Sequence, residues 1–294
     1  HRIILRGGAP VLVQGTVTRP ILAVNDVPVS QLIDSWQRVL AGNPARQRVL
    51  SGIMLAWPEA LAFAGVVGGQ AVTYQLDGGA DVVCDPNARL PALPLFPVSD
   101  TGFPRPDEDA HSLASGALYD LKQGLLRIRI AELKSLDQRQ VDTMIGQLPT
   151  LECKGAVVDL RGNPGGDFTK MLPLVDWLDR HVDRCAVLVN EYTFSAAIVA
   201  TVLITHRLGQ RAHVFGAEMG DDLQFWAEGG TLDLDQCGAA LRYSTAWHDW
   251  KTGQPDHTTP TEIATHMIAA GPVEVVRMPE PEQLGAACAF ALGA

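Results

Sequence analysis

The sequence predicts an α/β protein with parallel strands and a smaller α+β module at its N-terminus. From residue 118 onward, apolar strand runs alternate with helical patterns, an order that brings parallel strands together through right-handed crossovers. Residues 90–117 are rich in proline, which is typical of a connector. Residues 1–89 mix shorter strand and helix patterns. We therefore predict an N-terminal module at 1–89, a connector at 90–117 and a main domain at 118–294.

Composition restricts the class of partner. The chain has 294 residues, of which 47% are hydrophobic and 19% charged, with a formal net charge of −10. This acidic balance argues against binding to nucleic acid or to an anionic membrane surface. The weakly charged run 50–72 is interrupted by Pro58 and by Gly68, which predicts a core helix and a turn, with no membrane span. The five cysteines are too far apart to indicate a disulfide framework or a zinc site.

The N-terminal module begins with recognisable local signals. Residues 21–24 (ILAV) predict a strand, and Asn25-Asp26 predicts a tight turn. Apolar residues at helical spacing follow through Trp36 to Leu40. Residues 72–76 alternate in polarity as a strand does.

The main domain shows a repeated order of strand and helix. Ser135 with Gln138 predicts a capping box at the start of its first helix. The other elements predicted here are strands at 124–130, 156–160 and 186–189, a helix at about 169–179, and a helix from about 195. In parallel sheets of this kind, reactive groups gather at the carboxyl ends of the strands.

Two of these strand ends carry unusual residues. The first, VVDLRGNPGG (157–166), ends in Gly165 and Gly166, which can present backbone amides without an obstructing side chain. The second, VLVNEYTFSAA (187–197), places Ser195 at the start of a helix. Ser195 is interpreted either as an N-cap or as a nucleophile, with the Ala196 amide as an oxyanion donor.

The two motifs together resemble the tail-specific (C-terminal processing) peptidase family, which pairs D-x-R-x-N-x-G-G with V-N-x-x-T-x-S-A. The resemblance covers roughly residues 118–250 and implies a crotonase/ClpP-like spiral of β-β-α units. By this resemblance Ser195 matches the nucleophile, and Gly165 or Gly166 with Ala196 matches the oxyanion hole. It implies a serine-type endopeptidase that hydrolyses peptides or unfolded polypeptides without a cofactor or metal, in a periplasmic or secreted setting.

The general base departs from the commonest pattern of the family. Members with a Ser-Lys dyad carry a lysine after the serine, yet this chain has none between Lys170 and Lys251. The sequence is therefore more similar to the subgroup of the tricorn core protease, which uses serine, histidine and an acid. The candidate bases are His1 and His248. The candidate acids are Asp249, Asp256 and Glu218.

Two other functions are compatible with the sequence. A catalytically inactive relative that binds a peptide or an apolar ligand would explain the missing lysine. A crotonase-type enzyme acting on acyl-CoA would share the oxyanion arrangement, but the low lysine content weighs against it. No spacing of histidine, cysteine or acidic residues indicates a metal centre.

Overall fold

The computed structural model of the chain describes residues 2–15, 17–66, 71–84, 111–112, 117–134, 136–148, 153–236 and 239–294. These residues form two larger sheets and two small two-stranded ones. The larger sheets differ in kind, because one is antiparallel and the other mostly parallel.

The first sheet lies in residues 2–84, which we call the N-terminal module. Its strands are β1 (Arg2–Arg6), β2 (Ala9–Gln14), β3 (Val17–Val24), β4 (Val27–Pro28), β5 (Val72–Leu76) and β6 (Val82–Cys84). Its helices are α1 (Val29–Gln37), α2 (Pro44–Met54) and α3 (Pro58–Phe63). Asn25 and Asp26 have positive φ and make the tight turn between β3 and β4. Trp36 is fully buried and its indole N–H donates to Ala60 O at 3.0 Å, which fixes α1 against α3.

The second sheet has the order β17-β12-β11-β10-β9-β8-β7. Its strands are β7 (His111–Ser112), β8 (Ala117–Lys122), β9 (Leu125–Ile130), β10 (Gly155–Asp159), β11 (Arg184–Val189), β12 (Ala212–Gly216) and β17 (Val275–Arg277). The strands from β9 to β17 along this order run parallel, whereas β7 and β8 are antiparallel. The crossovers are α4 (Gln138–Gln147), α5 (Leu172–His181) and α6 (Ala196–Leu208).

Helices cover both faces of this sheet. Successive strand residues point to opposite faces, so Val158 packs in the cluster under α4, α5 and α6, whereas Val157 faces the other way. The helix on that opposite face is α8 (Glu280–Leu292), which contributes Ala287 and Ala291. The parallel strands are therefore buried on both sides, as an α/β sheet requires.

Two hairpin-like pairs and a short helix follow β12. They are β13 (Gln224–Ala227) with β16 (Ala246–Asp249), β14 (Gly230–Leu234) with β15 (Ala239–Tyr243), and α7 (Thr261–Ala264). None of the helices in the described part of the chain combines the length and apolarity that a membrane crossing needs.

The predicted α/β class is confirmed, and the strand predicted at 72–76 coincides with β5. The predicted capping box was wrong in position, because Asp137 and Gln140 form it and α4 begins at Gln138. Ser135 itself lies outside the described residues, as does most of the 90–117 connector. The domain limits stay a prediction.

Candidate active site

Two turns meet at the carboxyl edge of the main sheet. We call residues 161–166 the glycine turn and residues 190–195 the serine turn. They follow β10 and β11, which are neighbouring parallel strands, so both turns emerge at the same edge. The sequence motifs are adjacent because the topology places their strands side by side.

Side chains of the serine turn hold the two turns together. The Gly162 N–H donates to Asn190 Oδ1 at 3.0 Å, which bridges from one turn to the other. The Thr193 hydroxyl donates to Leu160 O at 2.9 Å and accepts from the Asn190 N–H at 3.0 Å. These contacts give Asn190 and Thr193 a structural role in holding the serine turn against the glycine turn.

Asn163 performs the same task from the glycine turn. Its Nδ2 donates to Ile130 O at 2.9 Å, and its backbone carbonyl accepts from the Phe194 N–H at 3.0 Å. Its Oδ1 accepts from the Gly165 N–H at 2.9 Å, so this amide is already engaged. Within the described residues, the Gly166 N–H donates no hydrogen bond.

The two glycines approach different parts of the chain. A Cβ on Gly165 would lie 2.8 Å from Ser195 Cβ and 3.0 Å from Ala196 N. A Cβ on Gly166 would lie 2.3 Å from Lys134 N. Gly165 therefore permits contact with the serine turn, and Gly166 permits contact with the segment after β9.

Ser195 has a backbone conformation unusual for a residue with a side chain, with φ 53° and ψ −123°. Such conformations cost about 1–3 kcal/mol and persist where the surroundings enforce them. Ser195 occupies the N-cap position of α6, yet its side chain makes no capping hydrogen bond. It is partly exposed, and the Ala196 N–H beside it donates no hydrogen bond within the described residues. The partly exposed hydroxyl and this amide are therefore both free to meet a ligand.

A buried ion network supports the glycine turn from below. Asp159 accepts from the Arg161 side chain at 2.8 Å and from Arg129 at 3.1 Å. All three side chains are at most 1% exposed. Arg161 also donates to Gln283 Oε1 at 3.1 Å, which links the turn to α8. Burial lowers the pKa of Arg129, and the Asp159 carboxylate partly offsets this. These charged groups hold the turn and do not face Ser195 through any described hydrogen bond.

His248 lies on β16 in an apolar setting. Its ring stacks on Phe225 with centroids 5.1 Å apart, and Nδ1 accepts from the Trp250 indole N–H at 3.4 Å. Nε2 lies 3.4 Å from Glu228 Oε1 without hydrogen-bond alignment. Burial lowers the pKa of His248, and the Glu228 carboxylate partly opposes that shift. Burial therefore favours the neutral imidazole, whose one lone pair accepts from the Trp250 indole.

The candidate acids are engaged elsewhere. Asp249 accepts from the Thr252 hydroxyl at 2.7 Å and from Gln224 Nε2 at 2.8 Å. Desolvation raises the pKa of Asp249, but hydrogen bonds from Thr252, Gln224 and the Lys251 amide lower it overall. Glu218 faces Arg48 at 3.5 Å, whereas exposed Asp256 caps a turn. The carboxylate that contacts His248 is that of Glu228, which the sequence did not single out.

The remaining candidates are placed as follows. His1 lies outside the described residues. The segment where related peptidases carry a lysine is held against the serine turn, because the Gly220 N–H donates to Thr193 O at 2.9 Å. No hydrogen bond joins the Ser195 hydroxyl to an imidazole within the described ranges. The same ranges contain no group of three His, Cys, Asp or Glu side chains arranged to hold a metal.

The N-terminal module contacts the serine turn directly. The Leu5 N–H of β1 donates to the Tyr192 hydroxyl at 2.7 Å, and burial raises the pKa of Tyr192 far above its ordinary range. A cleft of about 750 Å³ lies between this module and the carboxyl ends of β11 and β12, with Glu191 in its wall. Ser195 is not part of that wall, so the cleft adjoins the serine turn without enclosing the hydroxyl.

Comparison with known proteins agrees with this geometry. The model of peptidase family S41 matches residues 124–182. This segment is therefore similar to peptidase family S41. The S41 segment contains the glycine turn and ends before Ser195, and it confirms the family that the paired motifs predicted. No curated relative matches the chain by sequence.

Solved structures resemble the chain at low sequence identity. Mature CPAF aligns with 92% of this chain and 79% of its own length, at 12% identity and a TM-score of 0.51, which shows a common fold. A photosystem II D1 C-terminal processing protease aligns with 98% of this chain and 74% of its own, at 14% identity and a TM-score of 0.41. A lipoprotein from Streptococcus agalactiae aligns with 44% of this chain at 19% identity and a TM-score of 0.30. The chain spans only 57% of that lipoprotein.

Proposed function

We propose that the chain is a serine-type endopeptidase in which Ser195 attacks the carbonyl of a peptide or unfolded polypeptide. The observation that carries the proposal is the contact between Gly165 and the serine turn, next to the free Ala196 amide. The S41 segment, which supplies the glycine turn, gives independent support. The cleft beside Glu191 offers space for the rest of the peptide.

The chemistry follows from these groups. A histidine base takes the Ser195 proton, the oxygen adds to the carbonyl, and the tetrahedral oxyanion needs aligned N–H donors. Ala196 supplies one N–H. Gly166 is the better second donor, since the Gly165 N–H is bound to Asn163. Collapse of the oxyanion expels the amine, which takes the proton from the histidine, and leaves an acyl-enzyme that water then hydrolyses.

The nucleophile is tested by covalent labelling with a fluorophosphonate probe. We expect the intact protein to be labelled at Ser195, with the site mapped by peptide mass spectrometry. The Ser195→Ala variant should show no labelling and no hydrolysis of a casein-type substrate. A folded wild-type protein that is neither labelled nor active would favour an inactive relative that binds peptides.

The base is tested by a second substitution. We expect His248→Gln to keep the labelling rate within about tenfold of wild type, because the one lone pair of His248 is occupied by Trp250. A general base contributes roughly 100-fold or more, so this result would leave His1 as the candidate. Loss of labelling in a variant with an unchanged melting temperature would instead assign the base to His248.

A further inference from the structure

Helix α2 places a cation next to the nucleophile. The Arg46 guanidinium carbon lies 3.9 Å from the ring centroid of Phe194, the residue before Ser195. Stacking of this kind is a favourable cation–π contact. It occupies one face of the planar group and leaves the N–H donors on its edge available.

Those donors have no partner within the described residues. The backbone N–H of Arg46 is bonded to Asn43 Oδ1 at 2.8 Å, but no hydrogen bond or ion pair involves its guanidinium. Burial lowers the pKa of Arg46, which indicates that the group has lost water. A partly desolvated cation without an acceptor gains free energy when an anion arrives.

The position of Arg46 is fixed by its helix. Asn43 caps α2, and its Nδ2 donates to Met219 O at 3.2 Å. The next residue, Gly220, donates to Thr193 O, so the same loop holds both α2 and the serine turn. Arg46 is therefore a preorganised group rather than a flexible arm.

The surrounding charges combine two cations with acidic groups. The Asp221 carboxylate raises the pKa of Arg46, and the Arg242 guanidinium on β15 lowers it. Both charges therefore act on the Arg46 guanidinium. Burial raises the pKa of Asp221, which disfavours its charged form. Asp222 and Arg242 are exposed and hydrated. Arg46 and Arg242 thus place two cations here in a chain whose net charge is −10.

We propose that Arg46 is a specificity-determining residue that binds a carboxylate of the substrate peptide at a position flanking the scissile bond. The proposal rests on the proposed role of Ser195 as nucleophile. The carboxylate belongs either to an aspartate or glutamate side chain or to the end of the peptide, since both present the same two oxygens to a guanidinium.

Binding to the Ser195→Ala variant tests the proposal without requiring turnover. A series of short fluorescent peptides of neutral sequence carries a single aspartate, at a different position in each peptide. Each peptide has a control with asparagine at the same position. We expect the best aspartate peptide to bind about tenfold more tightly than its partner, the low end for a charged hydrogen bond at a partly exposed site. Adding Arg46→Met should abolish this difference, and Arg46→Lys should keep part of it.

A matched control lies on α6, the helix that begins next to Ser195. Arg207→Met removes a guanidinium that is paired with Asp176 and Asp179, away from the cleft, and should leave the aspartate preference unchanged. Asp221→Asn should strengthen the preference, because it removes a nearby carboxyl. Amidating the peptide terminus distinguishes a side-chain carboxylate from the terminal one. If binding is lost on amidation and does not depend on the aspartate, Arg46 binds the terminal carboxylate.

The outcomes separate this proposal from the catalytic one. An equal aspartate preference in the Ser195→Ala protein with and without Arg46→Met, or the same loss of preference on adding Arg207→Met, would overturn the role of Arg46. Labelling of Ser195 without an Arg46-dependent preference would support the peptidase proposal and reject the specificity role of Arg46. An Arg46-dependent preference without labelling would support carboxylate binding and reject the nucleophile.

Discussion

Replacing Gly165 by alanine is expected to lower kcat/KM for peptide hydrolysis by at least about 100-fold. The added Cβ would lie 2.8 Å from Ser195 Cβ and 2.9 Å from Phe194 O. Real Cβ atoms do not come so close, so the serine turn and the glycine turn would have to separate. The same Cβ would lie 3.0 Å from Ala196 N, which displaces an oxyanion donor as well. Initial rates on a casein-type substrate and the rate of fluorophosphonate labelling measure the loss.

A second glycine provides the control for Gly165→Ala. Gly285 lies inside α8, and a Cβ there would have no atom within 4 Å. Gly285→Ala should keep full activity and raise stability by up to about 1 kcal/mol, as alanine does in a helix interior. Gly165 has φ +105°, so its alanine variant also carries backbone strain of about 1–3 kcal/mol. Normal turnover by a folded Gly165→Ala protein would contradict the proposed contact between the turns.

The sequence predicted the turns better than it predicted the roles of single residues. Strand periodicity and two adjacent motifs were enough to place Gly165 and Ser195 at one sheet edge, because parallel strands end together. Periodicity says nothing about which atoms a glycine approaches. Only the structure separates Gly165, which faces Ser195, from Gly166, which faces Lys134. A bulky residue at Gly166 would therefore strain the fold rather than probe the oxyanion hole selectively.

The sequence could not predict long-range contacts either, because local periodicity does not show which distant residues meet. The approach of Glu228 to His248 depends on how β13 pairs with β16, and a positive φ at Glu228 falls just after β13. The contact of Arg46 with Phe194 joins helix α2 of the N-terminal module to the serine turn. Local propensity carries no information on either pairing.

The buried ion network beneath the glycine turn gives the second large expectation. Asp159→Ala should lower the free energy of unfolding by about 3–5 kcal/mol, the usual cost of breaking a buried ion pair. Arg129 and Arg161 are each 1% exposed and would keep their charges without the carboxylate that both contact. Urea denaturation followed by tryptophan fluorescence measures the change. Activity should fall as well, because Arg161 begins the glycine turn.

A surface ion pair tests whether burial is the reason for the large loss of stability expected from Asp159→Ala. Asp176→Ala removes a carboxylate that contacts Arg207 at 3.0 Å, where the two side chains are 47% and 53% exposed. Water screens such a pair, so its loss should cost less than about 1 kcal/mol. Asp159→Asn keeps the shape of the side chain while removing its charge. Its loss in free energy of unfolding should lie between those of Asp159→Ala and Asp176→Ala. If Asp159→Ala were no less stable than Asp176→Ala, the network would not be what holds the glycine turn, and its rigidity would have to come from Asn163 and Asn190 alone.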